Sequence, residues 1–300
     1  MGIIVAFALA GALAQMVDGT LGMGFGVTSA TVLLLVGTAP ATASAATHAA
    51  KLPTTMVSGL AHWREGNVDW KILVRVALPG MIGGFLGAVV LTSISLEAAK
   101  GWMSGLLIFF GVVIFARFGF GLRIIPVPSR GETARWLSPI GMIGGFVDAT
   151  GGGGWGPVVT PSLLTVTAHE PRKVVGTVNA AEFLVAMSVS VGFLTGIAHE
   201  DIPWAAVAGL SVGGVIVAPF AARLAGRLPH APMGTLVGGL ILLVNAVNIV
   251  SALGDLPLWL DVGAIIAIIA VTGYVAYHAW QREQRERAAT SVREPVVLLD

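Results

Sequence analysis

The chain has 300 residues, of which 55% are hydrophobic and 11% are charged, and its mean hydropathy is +0.86. A soluble domain carries about 25% charged residues, so the composition predicts an integral membrane protein with little mass outside the lipid. The net charge of +1 gives no indication of nucleic-acid binding. The absence of cysteine excludes disulfides, thiolate metal sites and a cysteine nucleophile.

The first apolar segment, residues 2–17, ends at Asp18 and is followed by the glycine-rich break Gly22-Met23-Gly24-Phe25-Gly26. It lacks the positively charged start of a signal peptide, so we interpret it as part of the mature protein. A short apolar run and three longer helices are predicted to follow, at about 27–37, 41–62, 71–92 and 97–118.

The second half of the sequence repeats this order. After an arginine-rich linker, 119–135, a short segment ends at Asp148 and leads into a second break, Gly151-Gly152-Gly153-Gly154-Trp155-Gly156-Pro157. Four consecutive glycines cost too much backbone entropy for a helix interior. Further apolar helical runs are predicted at about 157–168, 174–197, 204–224 and 232–253, with an unmatched helix at 258–280.

Corresponding positions in the two halves carry related residues at nearly constant spacing. Asp18 and Asp148 are 130 residues apart, the next three pairs are 131 apart, and the last three are 134 apart: Pro40 and Pro171, His48 and Asn179, Lys51 and Glu182, then Trp70 and Trp204, Gly80 and Gly214, Gly105 and Gly239. The spacing predicts a first repeat at 1–118, a linker at 119–135, a second repeat at 136–253, an additional helix at 254–280 and a cytoplasmic, solvated tail at 281–300.

The two short runs, 27–37 and 157–168, determine the predicted topology. A crossing helix needs about 20 residues, so each run is predicted to form a re-entrant hairpin with the segment before it. Three further crossings per half then place the second repeat upside down relative to the first. This arrangement puts nearly all Lys and Arg on one side, the cytoplasmic side by the positive-inside rule; the exceptions are Lys51 and Lys100.

The predicted fold is therefore an all-α polytopic membrane protein of two inverted repeats. Each repeat is a glycine-broken re-entrant helical hairpin plus three transmembrane helices, and one extra C-terminal transmembrane helix follows. The expected location is the cytoplasmic membrane, with the N-terminus outside and the C-terminus in the cytoplasm. Membrane lipid is one expected partner. A homodimer is another, because the glycine-rich helix faces must pack on something.

The glycine breaks are the first candidate binding site. Each exposes the N-terminus of a half-helix, where unpaired N–H groups and the helix dipole attract anions. The predicted substrate-binding residues at the breaks are Gly22, Gly24, Gly26, Thr28, Gly152, Gly153, Gly154 and Trp155. The alternative is that these glycines only let helices pack closely. A phosphate-loop enzyme is not indicated, because no GxxxxGK[ST] pattern occurs.

Polar residues in the middle of two helices are the second candidate. Lys51 and Glu182 each lie about ten residues into a helix, roughly 15 Å deep in a core about 30 Å thick. His48 and Asn179 precede them by three residues on the same helix faces. Charge at the membrane centre is costly and indicates function; the alternative is a Lys51–Glu182 salt bridge that only joins the repeats.

His48, Lys51 and Asn179 are therefore predicted to bind substrate, whereas Asp18, Asp148 and Glu182 are predicted to act in coupling or gating. The two aspartates stand at the ends of the segments that precede the breaks. Their alternatives are helix caps or hinge locks on one hand, and proton or cation sites on the other. No metal ligand set and no cofactor is predicted.

Two half-length repeats, each with an aspartate and a glycine-rich break, resemble the TauE/SafE family of sulfite and organosulfur-anion transporters. The similarity covers residues 2–253, and its best match is the run from Gly151 through Pro157 to Pro161. The first copy, Gly22–Gly26, is looser and lacks the following proline. The resemblance implies transport of sulfite, or of a sulfonate such as sulfoacetate, across the cytoplasmic membrane.

The expected activity is secondary transport of a small sulfur oxyanion by alternating access, in the direction of export. Two alternatives stay open at this point: an anion channel of similar architecture, and an importer of an organosulfonate. An intramembrane enzyme is not expected, because neither a G-x-S-x-G elbow nor an H-E-x-x-H metal pair is present.

Overall fold

The computed structural model describes residues 2–122, 133–167, 169–197, 199–225, 227–253 and 258–293, and all regular structure within these ranges is helical. Eleven α-helices and the short 3₁₀ helix His199–Asp201 are described; the α-helices are α1 (Gly2–Leu21), α2 (Phe25–Leu35), α3 (Pro40–Arg64), α4 (Trp70–Ser93), α5 (Leu96–Phe120), α6 (Thr133–Gly151), α7 (Trp155–Val166), α8 (Pro171–Phe193), α9 (Trp204–Leu224), α10 (His230–Leu253) and α11 (Leu258–Arg293).

Six of the described helices are long and apolar enough to cross a membrane, namely α1, α4, α5, α8, α9 and the segment Val262–Ala289 of α11. Their outer faces carry exposed apolar side chains at helical spacing, as in Val74, Leu78, Ile82 and Leu86 of α4. In water such a surface would be unfavourable, whereas hydrocarbon solvates it. The molecule is a polytopic α-helical membrane protein.

Helices α3 and α8 lie at the centre of the molecule and pack against each other, with Gly59 of α3 against the backbone of Ala180 of α8. Each begins with a proline, Pro40 or Pro171, in its first turn, where the missing N–H has no intrahelical partner to lose. Helix α3 has 25 residues, but its buried face is polar, which explains why it is absent from the strongly apolar spans.

The outer helices pack in two matching pairs, α4 on α6 and α9 on α1. In the first pair Gly141 lies directly on the carbonyl group of Val76, and in the second pair Gly11 lies directly on the carbonyl group of Leu210. A side chain on either glycine would overlap backbone atoms, so these glycines are required for the close helix approach.

A second set of contacts matches in the same way. Gly80 of α4 packs against the indole of Trp155, and Gly214 of α9 packs against the ring of Phe25. Trp155 and Phe25 are the first residues of α7 and α2, and both are fully buried. Equivalent residues therefore make equivalent contacts on the two sides of the α3–α8 core.

Two elements differ in length from their predicted bounds. Helix α1 has 20 residues and is long enough to cross a membrane by itself, so the re-entrant hairpin stays a prediction. Helix α11 continues to Arg293, although the segment from 281 was predicted to be a solvated tail. Its Glu283 accepts hydrogen bonds from the N–H groups of His230 and Ala231 at 3.2 and 2.9 Å, which caps the start of α10.

Parts of the predicted linker, of the loop before α11 and of the tail, at positions 123–132, 254–257 and 294–300, lie outside the described residues.

Candidate functional site

The two glycine breaks meet backbone to backbone in the interior. A Cβ on Gly26 would stand 2.5 Å from the Cα of Gly153, and one on Gly153 would overlap the amide of Val27. Gly156 approaches Met23 in the same way, at 2.5 Å from its Cα. The hydroxyl of Thr160 donates a hydrogen bond across the contact to the Gly22 carbonyl. We call this contact between the breaks the glycine crossing.

Left-handed backbone conformations explain why the breaks are glycine. Gly22 has φ +70°, Gly24 has φ +138°, and Gly152 has φ +74°. Side chains disfavour this region, so other residues at these positions would strain the chain. Gly24 and Gly154 each pack against the end of the helix before their own break, so they close the two turns, whereas Gly22, Gly26 and Gly153 form the crossing itself.

An aspartate closes each break in the same manner. The Oδ1 atom of Asp18 accepts a hydrogen bond from the N–H of Phe25 at 3.3 Å, and the Oδ1 atom of Asp148 accepts one from the N–H of Trp155 at 3.1 Å. In both cases the donor is seven residues ahead and opens the half-helix, α2 or α7. The chain's own carboxylates thus bind the helix N-termini, where the sequence predicts anion binding.

The ammonium group of Lys51 lies between two carboxylates. Its Nζ atom is 2.8 Å from Oδ1 of Asp148 and 2.8 Å from Oε1 of Glu182. A Cβ on Gly26 would stand 2.8 Å from the same Nζ atom, so the positive charge lies directly against the glycine crossing. The predicted Lys51–Glu182 pair exists, and all three charged side chains are buried.

His48 binds the second oxygen of Asp148. Its Nε2 atom is 3.0 Å from Oδ2 of Asp148, and its Nδ1 atom is 2.8 Å from the backbone carbonyl of Ser44. Both ring nitrogens face oxygen acceptors, an arrangement that the doubly protonated imidazolium satisfies. The Ser44 hydroxyl donates to the carbonyl of Ala149 at 2.6 Å, which joins α3 to the end of α6.

Asn179 and Asp18 form the corresponding pair on the other side of the crossing. The Nδ2 atom of Asn179 donates to the Asp18 carbonyl at 3.4 Å, and Oδ1 of Asn179 accepts from the hydroxyl of Ser58 at 2.9 Å. The Oδ2 atom of Asp18 is buried and has no hydrogen-bond partner among the described residues. The same is true of the Thr28 hydroxyl, so unused hydrogen-bonding capacity remains beside the first break.

The structure thus brings most of the predicted site residues into one buried cluster on α3, α8 and the two breaks. Gly152 lies at its edge, where it packs against Ala30 of α2 and Met103 of α5. Sequence reasoning missed Ser58 and His62. The signal that identifies them is the continuation of the polar α3 face beyond Thr55 at intervals of three and four residues.

Comparison with known proteins agrees with this architecture. The model of the sulfite exporter TauE/SafE family matches residues 7–249. A protein of Bacillus subtilis (strain 168) named "Probable membrane transporter protein YtnM" is 45% identical over 249 residues, 83% of this chain and 83% of that relative. No solved structure matches. The chain therefore belongs to the TauE/SafE sulfite exporter family of membrane transporters.

Proposed function

We propose that the protein is a secondary transporter that exports a small sulfur oxyanion, such as sulfite or a sulfonate, across the cytoplasmic membrane. The observation that carries the proposal is the position of the Lys51 ammonium against the glycine crossing. A cation beside bare backbone N–H groups gives an oxyanion both charge and hydrogen-bond donors. Lys51 is fully buried, and such a charge far from water indicates substrate handling.

In this proposal the anion binds at the crossing between the two breaks. Lys51 and His48 supply positive charge, and the side-chain amide of Asn179 supplies a neutral donor. The backbone of the breaks, from Gly22 to Thr28 and from Gly152 to Trp155, forms the walls. Because glycine has no side chain, an anion can approach the N–H groups there more closely than at any other residue.

Alternating access follows from a repeat arrangement that the packing supports. Gly141 on Val76 matches Gly11 on Leu210, and Gly80 on Trp155 matches the contact of Gly214 with Phe25. Matching contacts of this kind are expected if the halves are inverted copies related by a pseudo-two-fold axis. The transport step in this proposal is a rocking of one repeat against the other about the crossing.

Export is the proposed direction, because an inside-negative membrane potential favours anion exit by about 2.3 kcal/mol per charge per 100 mV. The family description, sulfite exporter, supports the same direction. In the proposed topology the α3–α4 loop, with Arg64 and Lys71, faces the cytoplasm. Asp18, Asp148 and Glu182 are the proposed coupling or gating residues.

The test is flux of ³⁵S-labelled sulfite from proteoliposomes that contain the purified protein. Hydrogen bonds to charged groups contribute about 1.5–3 kcal/mol, so Lys51→Ala should slow saturable flux about tenfold or more. Lys71→Ala, a change at an exposed lysine, is the matched control and should keep the parental rate.

The second variant pair tests the crossing itself. Gly153→Ala would force a methyl group into the backbone of Gly26 and Val27, whereas Gly105→Ala places a methyl where nothing lies within 4 Å. We expect Gly153→Ala alone to lose flux. Folded Lys51→Ala and Gly153→Ala proteins that transport sulfite at the parental rate would show that the site is elsewhere. Flux that does not saturate would indicate a channel.

A further inference from the structure

The polar face of α3 extends from the site in one direction only. Beyond Lys51, the side chains of Thr55, Ser58 and His62 follow at intervals of four, three and four residues, and all are fully buried. They lead toward the α3–α4 loop. A buried polar stripe of this length is expensive in a membrane unless it carries water, protons or substrate.

The equivalent face of α8 is apolar beyond the site. At a step of 131 residues, Ala186, Val189 and Phe193 stand where α3 has Thr55, Ser58 and His62, and they are equally buried. The ring of Phe193 also lies 6.1 Å from that of His48, measured between centroids. The site is therefore connected by polar groups to one end of the molecule and sealed by apolar side chains toward the other.

His62 joins the α3–α4 loop to the first break. Its Nε2 atom is 3.1 Å from the carbonyl oxygen of Gly19, the residue after Asp18. The Nδ1 atom is 3.5 Å from the side-chain nitrogen of Asn67, which lies in the loop. The carbonyl requires a proton on Nε2, so Nδ1 accepts the weak hydrogen bond from Asn67. A proton taken up at Nδ1 and another released from Nε2 would pass charge toward the break.

Two carboxyl groups beside the break have too little positive charge around them. Asp18, Asp148 and Glu182 face only Lys51 and His48 as cations, and Lys51 already contacts both Asp148 and Glu182. Asp18 and Glu182 lie within electrostatic range of each other, and Oδ2 of Asp18 has no partner in the described part of the chain. Two neighbouring carboxylates in a low dielectric are expected to share a proton.

Every helix packed around this pair contributes to its charge environment. Helix α3 contributes Lys51 and His48, and α6 contributes Asp148, whereas the start of α2 offers only the N–H of Phe25. At the loop end of α3, the charged groups form two ion pairs, Glu65 with Arg223 of α9 and Asp69 with His169.

We propose that Asp18 and Glu182 form a proton-binding site, loaded through His62 from the α3–α4 side when an anion displaces Glu182 from Lys51. The proposal rests on the proposed function, because the anion is what releases the glutamate. Sulfite binding transfers the Lys51 ammonium from Glu182 to the anion, and Glu182 then takes up a proton that it shares with Asp18. Phe193 blocks the opposite side, so the proton returns the way it came and is not transported.

The direct test is the infrared difference spectrum of the reconstituted parent protein with and without sulfite. We expect sulfite to raise the carbonyl band of a protonated carboxylic acid, with a shift in D₂O. The band should be lost in both Glu182→Gln and Asp18→Asn and kept in Glu170→Gln, a control at an exposed carboxylate. A parent protein that exchanges ³⁵S-sulfite without this band overturns the inference but not the function. A parent that neither binds nor exchanges sulfite removes the function itself.

The relay is tested in right-side-out and inside-out membrane vesicles, which fix the orientation of the protein. The parental flux should respond to pH on the α3–α4 side beyond the response that sulfite ionisation causes, and His62→Gln should lose this extra response. His278→Gln, on the exposed surface of α11, should behave as the parent. A His62→Gln protein with the full parental pH response, or a parent that responds equally from both sides, overturns the relay.

Discussion

The two glycine breaks share one backbone design but differ in the side chains around it. In both, an aspartate Oδ1 atom accepts the N–H of the residue seven positions ahead, Phe25 or Trp155. Asp148 also binds Lys51 and His48, whereas Asp18 has only its helix cap and a neighbouring Glu182. A duplicated scaffold thus places cations beside one break and carboxyl groups beside the other.

This difference teaches that the two aspartates have separate tasks despite equivalent positions. Asp148 is the centre of an ion-pair network that joins α3, α6 and α8. Asp18 carries unused hydrogen-bonding capacity at the end of a polar stripe. The backbone at the crossing is nearly symmetric, and the side chains give it a direction.

Removal of the two aspartates should have the largest and most unequal effects. Asp148→Ala leaves Lys51 and His48 without their shared partner, and breaking a buried ion pair costs about 3–5 kcal/mol. Asp18→Ala removes a helix cap, worth about 1 kcal/mol, and also relieves repulsion with Glu182. Chemical unfolding in detergent micelles, followed by tryptophan fluorescence, measures both. Equal losses of unfolding free energy would contradict the asymmetry.

Much of the scaffold could be predicted from the sequence, because its signals are local. The aspartate before each break, the run of glycines and the proline at the start of α3 and α8 are all visible as residue types at fixed spacing. The pairing of Lys51 with Glu182 followed from their equal depth in helices at the membrane centre. These inferences need only helix geometry and the thickness of the bilayer.

The rest depends on tertiary contacts that a single sequence does not display. The approach of Gly26 to Gly153 and the bond from His48 to Asp148 both require knowledge of which helix packs on which. The occupation of the helix N-termini by Asp18 and Asp148 was foreseen only as one alternative, because a cap and an anion site have the same residue pattern. The length of α11 was underestimated, because its charged end is held by contacts with α10.

Matched substitutions at Gly80 and Gly214 should have similar, intermediate effects and so sharpen the comparison of the halves. A Cβ on Gly80 would stand 2.7 Å from the indole of Trp155, and one on Gly214 would stand 3.1 Å from the ring of Phe25. Overpacking a close contact costs about 1–3 kcal/mol, partly offset by about 1 kcal/mol of helix propensity. Thermal unfolding of Gly80→Ala and Gly214→Ala measures the balance.

The control for this pair is Gly101→Ala in α5, where a methyl would meet no atom within 4 Å. It should be neutral or stabilising. A large loss of stability in one member of the pair, with none in the other, would break the equivalence of the α4–α6 and α9–α1 packing.

The smallest expected effect concerns the helix caps outside the crossing. Asp69 caps α4 through the N–H groups of Lys71 and Ile72 at 2.9 and 3.0 Å, whereas the matching position before α9 is Pro203, which offers no side-chain cap. Asp69→Ala should therefore cost about 1 kcal/mol, while Pro203→Ala removes no cap. Unfolding midpoints in detergent measure both changes.

The protonation of Asp69 adds a pH signature that distinguishes its cap from simple packing. Partial burial favours a higher pKa for Asp69, but the N–H groups of Ile72 and Lys71, together with His169 and Lys173, outweigh it and hold the pKa below its ordinary value of 3.8. A depressed pKa contributes stability that is present above 3.8 and is lost as the pH falls through the lower folded value. The parent should therefore lose its advantage over Asp69→Ala only below about pH 4, and an advantage that persists unchanged in stronger acid would show that the carboxylate charge does not hold α4 in place.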